Sequence, residues 1–523
     1  MDKGKIVAHT GSLGRRTSIA ASWLIVWRAI SRTLGFGSTI VLARLLSPAD
    51  FGIVAMAMSV EGAIQTFAQF PVHDALMRRA EREGHLYDTA FTIQAARALL
   101  VGLLLAAGAH FAADWFHEPR LVPLILVLAA TSAVNGFENI GIVDLHRELR
   151  FDVDVKISVL PSLLQILVTL GVAWFTHSYW ALLAGLSVRR CTRVVMTYVF
   201  LPHRARFSLL GWRDLIGFSF WLALIGCVST AWERVDAFVV GPIFGPLGLG
   251  LYTLASQVGR LPISDLLEPA FAAMFAGFAS AERGRGGGLR QSVAVASALA
   301  LLLAPLGLVL SAEAPHVVAI LLGPKWAPTV PLIQVVSWMC LFAPLGFVAR
   351  SAMIAAGRVR VVFVLVSLAT AVRMVLVIMA GRSGNLTNVM WADVMAIAFE
   401  GGVFIAYLLL HAMNPREFLT GFARIAIGLG LAALALRESG LGWHTSPPLP
   451  GGSALTEAAA AILHLGLSGS FACIVYGAAI VAIWWISGRP DGPERMVGGV
   501  LVDFFPVLRR RRALGGDGPE PRM

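Results

Sequence analysis

About fourteen times along this chain, a stretch of some twenty predominantly apolar residues recurs. Roughly 20 apolar residues in a helix are what the hydrocarbon core of a bilayer requires. In lipid every backbone N–H and C=O must be bonded within the protein, so such stretches read as transmembrane helices. They lie at about 18–45, 50–70, 89–113, 121–142, 157–176, 179–201, 214–240, 248–280, 291–312, 329–349, 359–380, 387–411, 418–436 and 462–487. The eighth carries Pro262 and Pro269 and is expected to kink. The first does not read as a cleaved leader: it is too long, Arg28 and Arg32 interrupt it, and no small-x-small site follows. Composition points the same way. Of 523 residues, 57% are hydrophobic and only 14% charged, against about 25% charged in a soluble domain. That little charge cannot coat a soluble protein of this size, which excludes a water-soluble enzyme. Cys191, Cys227, Cys340 and Cys473 stand far apart with no CxxC pair, so neither a disulfide framework nor a zinc motif is expected from them.

Lys and Arg in alternate loops set the orientation. One side collects Lys3, Lys5, Arg15 and Arg16, then Arg78, Arg79 and Arg82, and every second loop after that, ending with the run Arg509 to Arg512 and with Arg522. The other side holds Arg44, Arg120, Lys325, Arg382 and Arg437. Roughly 27 against 5 puts both termini in the cytoplasm. The net charge of +11 is therefore read as this bias and not as a nucleic-acid surface.

One self-match stands out. Pro48, Gly52, Ala57 and Pro71 recur as Pro246, Gly250, Ala255 and Pro269, all at one offset of 198 residues. Six spans separate the copies, so both halves enter from the same side, as in parallel transporter repeats. The expected fold is an all-α polytopic membrane protein of about fourteen transmembrane helices. It comprises two six-helix lobes in parallel pseudo-repeat plus two C-terminal helices. The corresponding divisions are a cytoplasmic N-terminus (1–17), a first lobe (18–201), a linker (202–213), a second lobe (214–411), spans thirteen and fourteen (412–487), and a basic cytoplasmic tail (488–523).

Several strings carry a family resemblance over about residues 17 to 430. They are Leu42-Ala-Arg-Leu-Leu-Ser-Pro-Ala-Asp-Phe-Gly52, His146-Arg-Glu-Leu-Arg-Phe151, Asp236, Gly248-Leu-Gly-Leu-Tyr252-Thr-Leu-Ala255 and Leu322-Gly-Pro-Lys-Trp326. In order and spacing the chain resembles the polysaccharide transporter family, the Wzx-type flippases of the multidrug/oligosaccharidyl-lipid/polysaccharide superfamily. The resemblance implies two lobes around a central cavity in a bacterial inner membrane. It implies alternating access that carries a polyprenyl-pyrophosphate-linked oligosaccharide to the outer leaflet for exopolysaccharide or lipopolysaccharide synthesis. Membrane lipids, a polysaccharide polymerase and chain-length machinery are the partners it suggests.

Charge at bilayer depth costs about 2.5–3.5 kcal/mol on insertion scales and faces a wet cavity or a partner. Arg28 and Arg32 share one face of the first span; Arg260 and Arg373 fall at similar depth, Arg193 lies in the sixth span and Arg97 nearer the cytoplasmic side. Arginine stays protonated and presents a planar fork of donors, which suits a diphosphate. These six are the candidate substrate-binding cations. The alternative is that such arginines pair with Glu61, Glu138, Asp393 or Glu400. In the sixth span Arg189 and Arg190 are adjacent and are not expected to face one cavity together. Glu61, Glu138, Arg234 and Asp236 are candidates for gating or coupling, and Glu233, Arg234 and Asp236 read equally as an ion-paired helix end. No cofactor is expected, and no spacing singles out a carboxylate for proton or sodium coupling. Trp23, Trp27, Trp221 and Trp232 are either sugar-stacking surfaces or interfacial anchors. The run Gly284 to Gly288 lacks the Lys-Ser/Thr of a phosphate loop, and 496–512 reads as a basic, lipid-surface or solvated tail. Three rivals remain: a peptidoglycan-precursor flippase, a drug or cation exporter, and a membrane glycan polymerase or ligase. The last needs a large outer loop with a polar catalytic cluster, which this sequence lacks.

Overall fold

A computed structural model describes residues 31–67, 76–77, 83–148, 150–212, 220–264, 278, 288–412, 415–442, 454–488 and 493–495. Among these residues the regular structure is helical, with no strand. Arg28, Trp23, Trp27, Pro71, Pro269, residues 284–287 and the tail 496–512 lie outside them, as does the side chain of Trp221. In chain order the helices are α1 (residues 31–45), α2 (Pro48–Phe67), α3 (Gly84–Phe116), α4 (Leu121–Asn135), α5 (Ile142–Arg147), α6 (Phe151–Thr176), α7 (Trp180–Phe200) and α8 (Phe220–Gly259). There follow α9 (Gly288–Ala312), α10 (Ala314–Leu321), α11 (Val330–Val336), α12 (Met339–Ala355), α13 (Val359–Gly381), α14 (Leu386–Ala412), α15 (Pro415–Glu438) and α16 (Ala454–Ile486). Eight described helices are long and apolar enough to cross a membrane, nine if the pair Pro324–Val336 and Met339–Ala355, bent by 53°, makes one span. The chain is a multi-pass membrane protein; the count of fourteen stays an expectation.

The chain forms two compact units. The first comprises Met1–Thr253, Leu321–Trp326 and Val377–Leu386; the second comprises Leu254–Ile320, Ala327–Leu376 and Thr387–Met523. In the first, α6 packs on α7, α3 on α4, and α2 against both α3 and α4. In the second, α9 is central and packs on α12, α15 and α16.

Local chemistry explains where the helices of the first unit begin and break. Ser47 caps α2: its backbone N–H donates to Asp50 Oδ2 at 2.9 Å and its hydroxyl accepts from Asp50 N–H at 3.3 Å. Pro48 follows at the first helical position, where a missing N–H costs nothing. At the equivalent place in the repeat Gly245 precedes Pro246, and Gly245 has left-handed φ of 67°. Spans seven and eight are thus joined by a kink at Gly245 inside α8.

Span four departs further from the sequence reading. Helix stops at Asn135, residues 136–141 are turns, and α5 resumes at Ile142. A Cβ at Gly136 would lie 2.1 Å from Ala98 Cβ, so α3 crosses here at a distance only glycine allows. The carbonyls freed by the break are not left bare, as a membrane interior demands. Gln94 Nε2 donates to the carbonyls of Gly136 at 3.1 Å and Glu138 at 3.0 Å. Asn139 Nδ2 donates to the His203 carbonyl at 2.8 Å.

Two of the strings that carry the family resemblance meet in the first unit. Trp326 is fully buried; its indole N–H donates to the Ala43 carbonyl at 2.7 Å, and Phe51 stands edge-on to it at 5.3 Å between centroids. Ala43 lies in the last turn of α1, where carbonyls lack intrahelical partners. Trp326→Ala should cost about 3–5 kcal/mol, measured as thermal unfolding of the purified protein in detergent. Trp326→Phe should recover much of that loss, and an unchanged melting temperature for the alanine variant would refute this anchoring. In the turn between α3 and α4, Arg120 clasps Glu118 through two bonds of 2.7 and 2.9 Å. That hydrogen bonding holds the Glu118 carboxyl below its ordinary range.

Candidate functional site

The break in span four and the polar face of α7 together build a cavity in the first unit. Its volume is about 390 Å³, and it is lined by Asn135, Glu138, Leu186, Arg189, Arg190 and Arg193. This falls within the range of small-molecule sites. Asn135 ends α4 and Glu138 stands on the turn after it, while the other four residues follow helical spacing on α7. Arg189 and Arg190 both reach the cavity, contrary to the sequence reading. Neighbouring residues on a helix point about 100° apart, but the mouth is wide and a guanidinium rides on a long, flexible stem.

The three arginines are held differently. Arg190 is locked: Nη1 lies 2.6 Å from Glu61 Oε1 and Nη2 donates to Oε2 at 3.0 Å. Glu61 on α2 is 3% exposed and is further held by Gln65 Nε2 at 2.9 Å and by the Ser132 hydroxyl. Arg190 also donates to Ser132 and Thr131 on α4. Arg193 Nε donates to Glu138 Oε1 at 2.9 Å, a half-open pair at the cavity. Arg189 is exposed and donates to the neutral Gln165 Oε1 at 3.4 Å. Three guanidinium groups against two carboxylates leave one positive charge over, and Arg189 carries it.

The other candidate residues are placed as follows. Arg32 is exposed on α1 and Arg97 is half-buried on α3. Arg234 lies against α2: a Cβ on Gly62 would come within 2.8 Å of its guanidinium carbon. Asp236 is buried two residues further along α8. In the second unit Asp393 is fully buried and binds Arg373 at 2.5 Å and Arg260 at 2.9 Å. Arg373 is 1% exposed, whereas the Arg260 side chain is 40% exposed. Glu400 pairs with Arg350 at 3.8 Å. Glu61, Glu138 and Asp393 thus hold arginines of the spans, the alternative the sequence left open, while Glu400 pairs instead with Arg350, which the sequence placed in a loop.

Long apolar helices with arginine–carboxylate pairs inside them define a polytopic membrane protein. The family model described as polysaccharide biosynthesis protein matches residues 41–331, more than half of the chain, and the chain belongs to that family. It is 24% identical over 313 residues to the succinoglycan biosynthesis transport protein ExoT of Rhizobium meliloti (strain 1021), a match covering 59% of this chain and 63% of that protein. The chain thus spans somewhat less than two thirds of that relative's length. It is 22% identical over 356 residues to the lipopolysaccharide biosynthesis protein WzxC of Escherichia coli (strain K12), covering 67% of this chain and 72% of that protein. Among solved structures, the lipid II flippase MurJ in its inward closed conformation superposes with a TM-score of 0.67 at 13% identity, covering 89% of this chain and 99% of that one. An inward-facing multidrug resistance transporter of the MATE family gives 0.53 at 16% identity, covering 76% and 95%. The shared fold is that of these transporters.

Proposed function

We propose that this protein is a flippase that carries a polyprenyl-pyrophosphate-linked oligosaccharide repeat unit across the bacterial inner membrane by alternating access. Its product would feed exopolysaccharide or lipopolysaccharide assembly, in company with a polymerase and chain-length machinery. The concentration of Lys and Arg in alternate loops supports a cytoplasmic position for both termini. The observation that carries the proposal is the cationic cavity on α7. A diphosphate offers delocalised negative charge and many acceptors, which guanidinium forks match in shape as well as charge. Arg189, held by a neutral amide, is free to exchange that partner for phosphate oxygen. Arg193 can share its fork between Glu138 and the ligand, while Glu61 keeps Arg190 aimed. A drug or cation exporter would need unneutralised carboxylates at this place; here both carboxylates are occupied by arginine. Membership in a polysaccharide biosynthesis family supports a glycan cargo over the peptidoglycan precursor.

The test is complementation of glycan export in strains lacking their own flippase. A charge-assisted hydrogen bond is worth about 1.5–3 kcal/mol, so Arg189→Ala should lower export by roughly tenfold or more. Membrane level and melting temperature should stay at those of the parent. Arg189→Lys keeps the charge without the fork and should fall between. Normal export by Arg189→Ala would remove this cavity from the transport path. Rescue of a peptidoglycan-precursor flippase deletion, with none of a glycan flippase deletion, would favour the rival cargo.

A further inference from the structure

The second unit contains a cluster that the transport reading does not use. Glu313 sits at the junction of α9 and α10, with His316 three residues on; His464 stands in the first third of α16. The Glu313 side chain is 1% exposed, His316 4% and His464 25%. His316 Nδ1 lies 2.9 Å and His464 Nδ1 3.4 Å from the same oxygen, Glu313 Oε2. The two imidazole rings stack with centroids 4.6 Å apart and 29° between planes. Despite this proximity, both carboxylate oxygens and both Nδ1 atoms are buried without an aligned hydrogen bond.

Buried polar atoms without partners are rare because each forfeits its hydration. Glu313 Oε2 and the two Nδ1 atoms converge on one point and call for a common partner. A proton shared between Glu313 and one imidazole would satisfy a single pair through an aligned N–H···O bond and leave the other ring unbonded. A cation accepting one lone pair from each side chain satisfies all three at once.

We propose that Glu313, His316 and His464 form a binding site for zinc or a similar divalent transition metal. Two imidazoles and a carboxylate suit such ions, whereas calcium and magnesium take oxygen ligands throughout. Bonds of about 2.0–2.1 Å in a tetrahedron put ligand atoms roughly 3.3 Å apart, and the separations of 2.9 and 3.4 Å lie on either side of that value. The partial exposure of His464 provides an entry route and leaves a fourth position for water.

The site would act as a clasp on the last span. α16 runs antiparallel to α9: Tyr476 donates to the Leu301 carbonyl at 3.1 Å, and a Cβ at Gly469 would touch Val309 at 3.4 Å. His464 over Glu313 continues that seam to its end. In a bilayer, helices gain little from hydrophobic burial against one another, so a coordinate bond at the end of the seam would hold α16 in place.

The full-length protein, purified in detergent without a polyhistidine tag, should be stripped with a chelator, exposed to micromolar zinc and assayed by mass spectrometry for bound metal. About one zinc per chain is expected. His464→Ala and Glu313→Gln should each weaken binding at least as much as loss of a partner that only orients a ligand, which costs about 10–100-fold. Zinc should raise the melting temperature of the parent by several degrees and leave both variants unmoved. Cobalt in place of zinc should show the visible absorption of a four-coordinate N/O site. If Glu313→Gln does not accumulate, His316→Gln replaces it in the same assay. Binding below about a tenth of an equivalent in the parent, or equal binding in the His464 variant, overturns the proposal.

Discussion

Gly52→Ala and Gly250→Ala should each cripple the protein, although each adds only one methyl group. The Cβ of an alanine at 52 would lie 1.7 Å from the Pro246 carbonyl oxygen, and that of an alanine at 250 would lie 1.8 Å from the Pro48 carbonyl oxygen. The contact is reciprocal: each copy of the repeated Pro-x-x-x-Gly string places its glycine against the other copy's proline carbonyl. Small residues permit this approach between membrane helices, and Cα–H groups facing carbonyl oxygens recur at such crossings. Both opposing atoms belong to backbone, so no rotamer change relieves the clash and the helices must part. Overpacking of a tight interface usually costs about 1–3 kcal/mol and occasionally more; with backbone on both sides, the upper part of that range is expected. Melting temperature and membrane level should fall together in both single variants. The double variant should be little worse than either single one, because helices already separated by the first methyl have room for the second. Additive losses would mean that the two glycines do not belong to one contact. A melting temperature unchanged in Gly52→Ala would mean that the repeat copies do not touch there.

Asp393→Asn should be the most damaging single change in the second unit. Asp393 binds Arg373 at 2.5 Å, and Arg373 is 1% exposed. Removing one partner of a buried ion pair costs about 3–5 kcal/mol, because the remaining charge is left uncompensated. Replacing both partners with apolar side chains of similar volume is often neutral. Asp393→Leu combined with Arg373→Met should therefore unfold at a higher temperature than Asp393→Asn, even though it carries more substitutions. Arg260 can turn its exposed head to solvent in either background. A double variant no more stable than the single one would show that the carboxylate serves something other than charge balance.

Much of the architecture could be read from the residues alone. Runs of twenty apolar residues have essentially one solution in lipid, so the class of protein and the approximate places of its helices follow from hydropathy. The offset of 198 residues exposed the repeat because the same crossing needs the same small residue and the same helix start in both copies. Gly245 opposite Ser47 shows how far the copies match: one starts its helix with a side-chain cap, the other with a left-handed glycine.

The partners of the charged side chains were decided only by tertiary structure. Periodicity gives the depth and face of Arg190, Arg193, Arg260 and Arg373. It cannot say that Glu61 lies 129 positions from Arg190, or Asp393 133 positions from Arg260, yet within 3 Å in space. Hydropathy likewise took span four as continuous, because the break at Gly136 depends on α3 crossing it and on Gln94 being present to bond the freed carbonyls. That break carries Glu138 to the cavity, and side-chain length lets Arg189 and Arg190 enter it together. Glu313, His316 and His464 are unremarkable in sequence and meet only because α16 lies along α9. A short-range pattern records what each residue needs from its surroundings. Which residue supplies it is settled by packing between segments that lie from about twenty to more than a hundred positions apart.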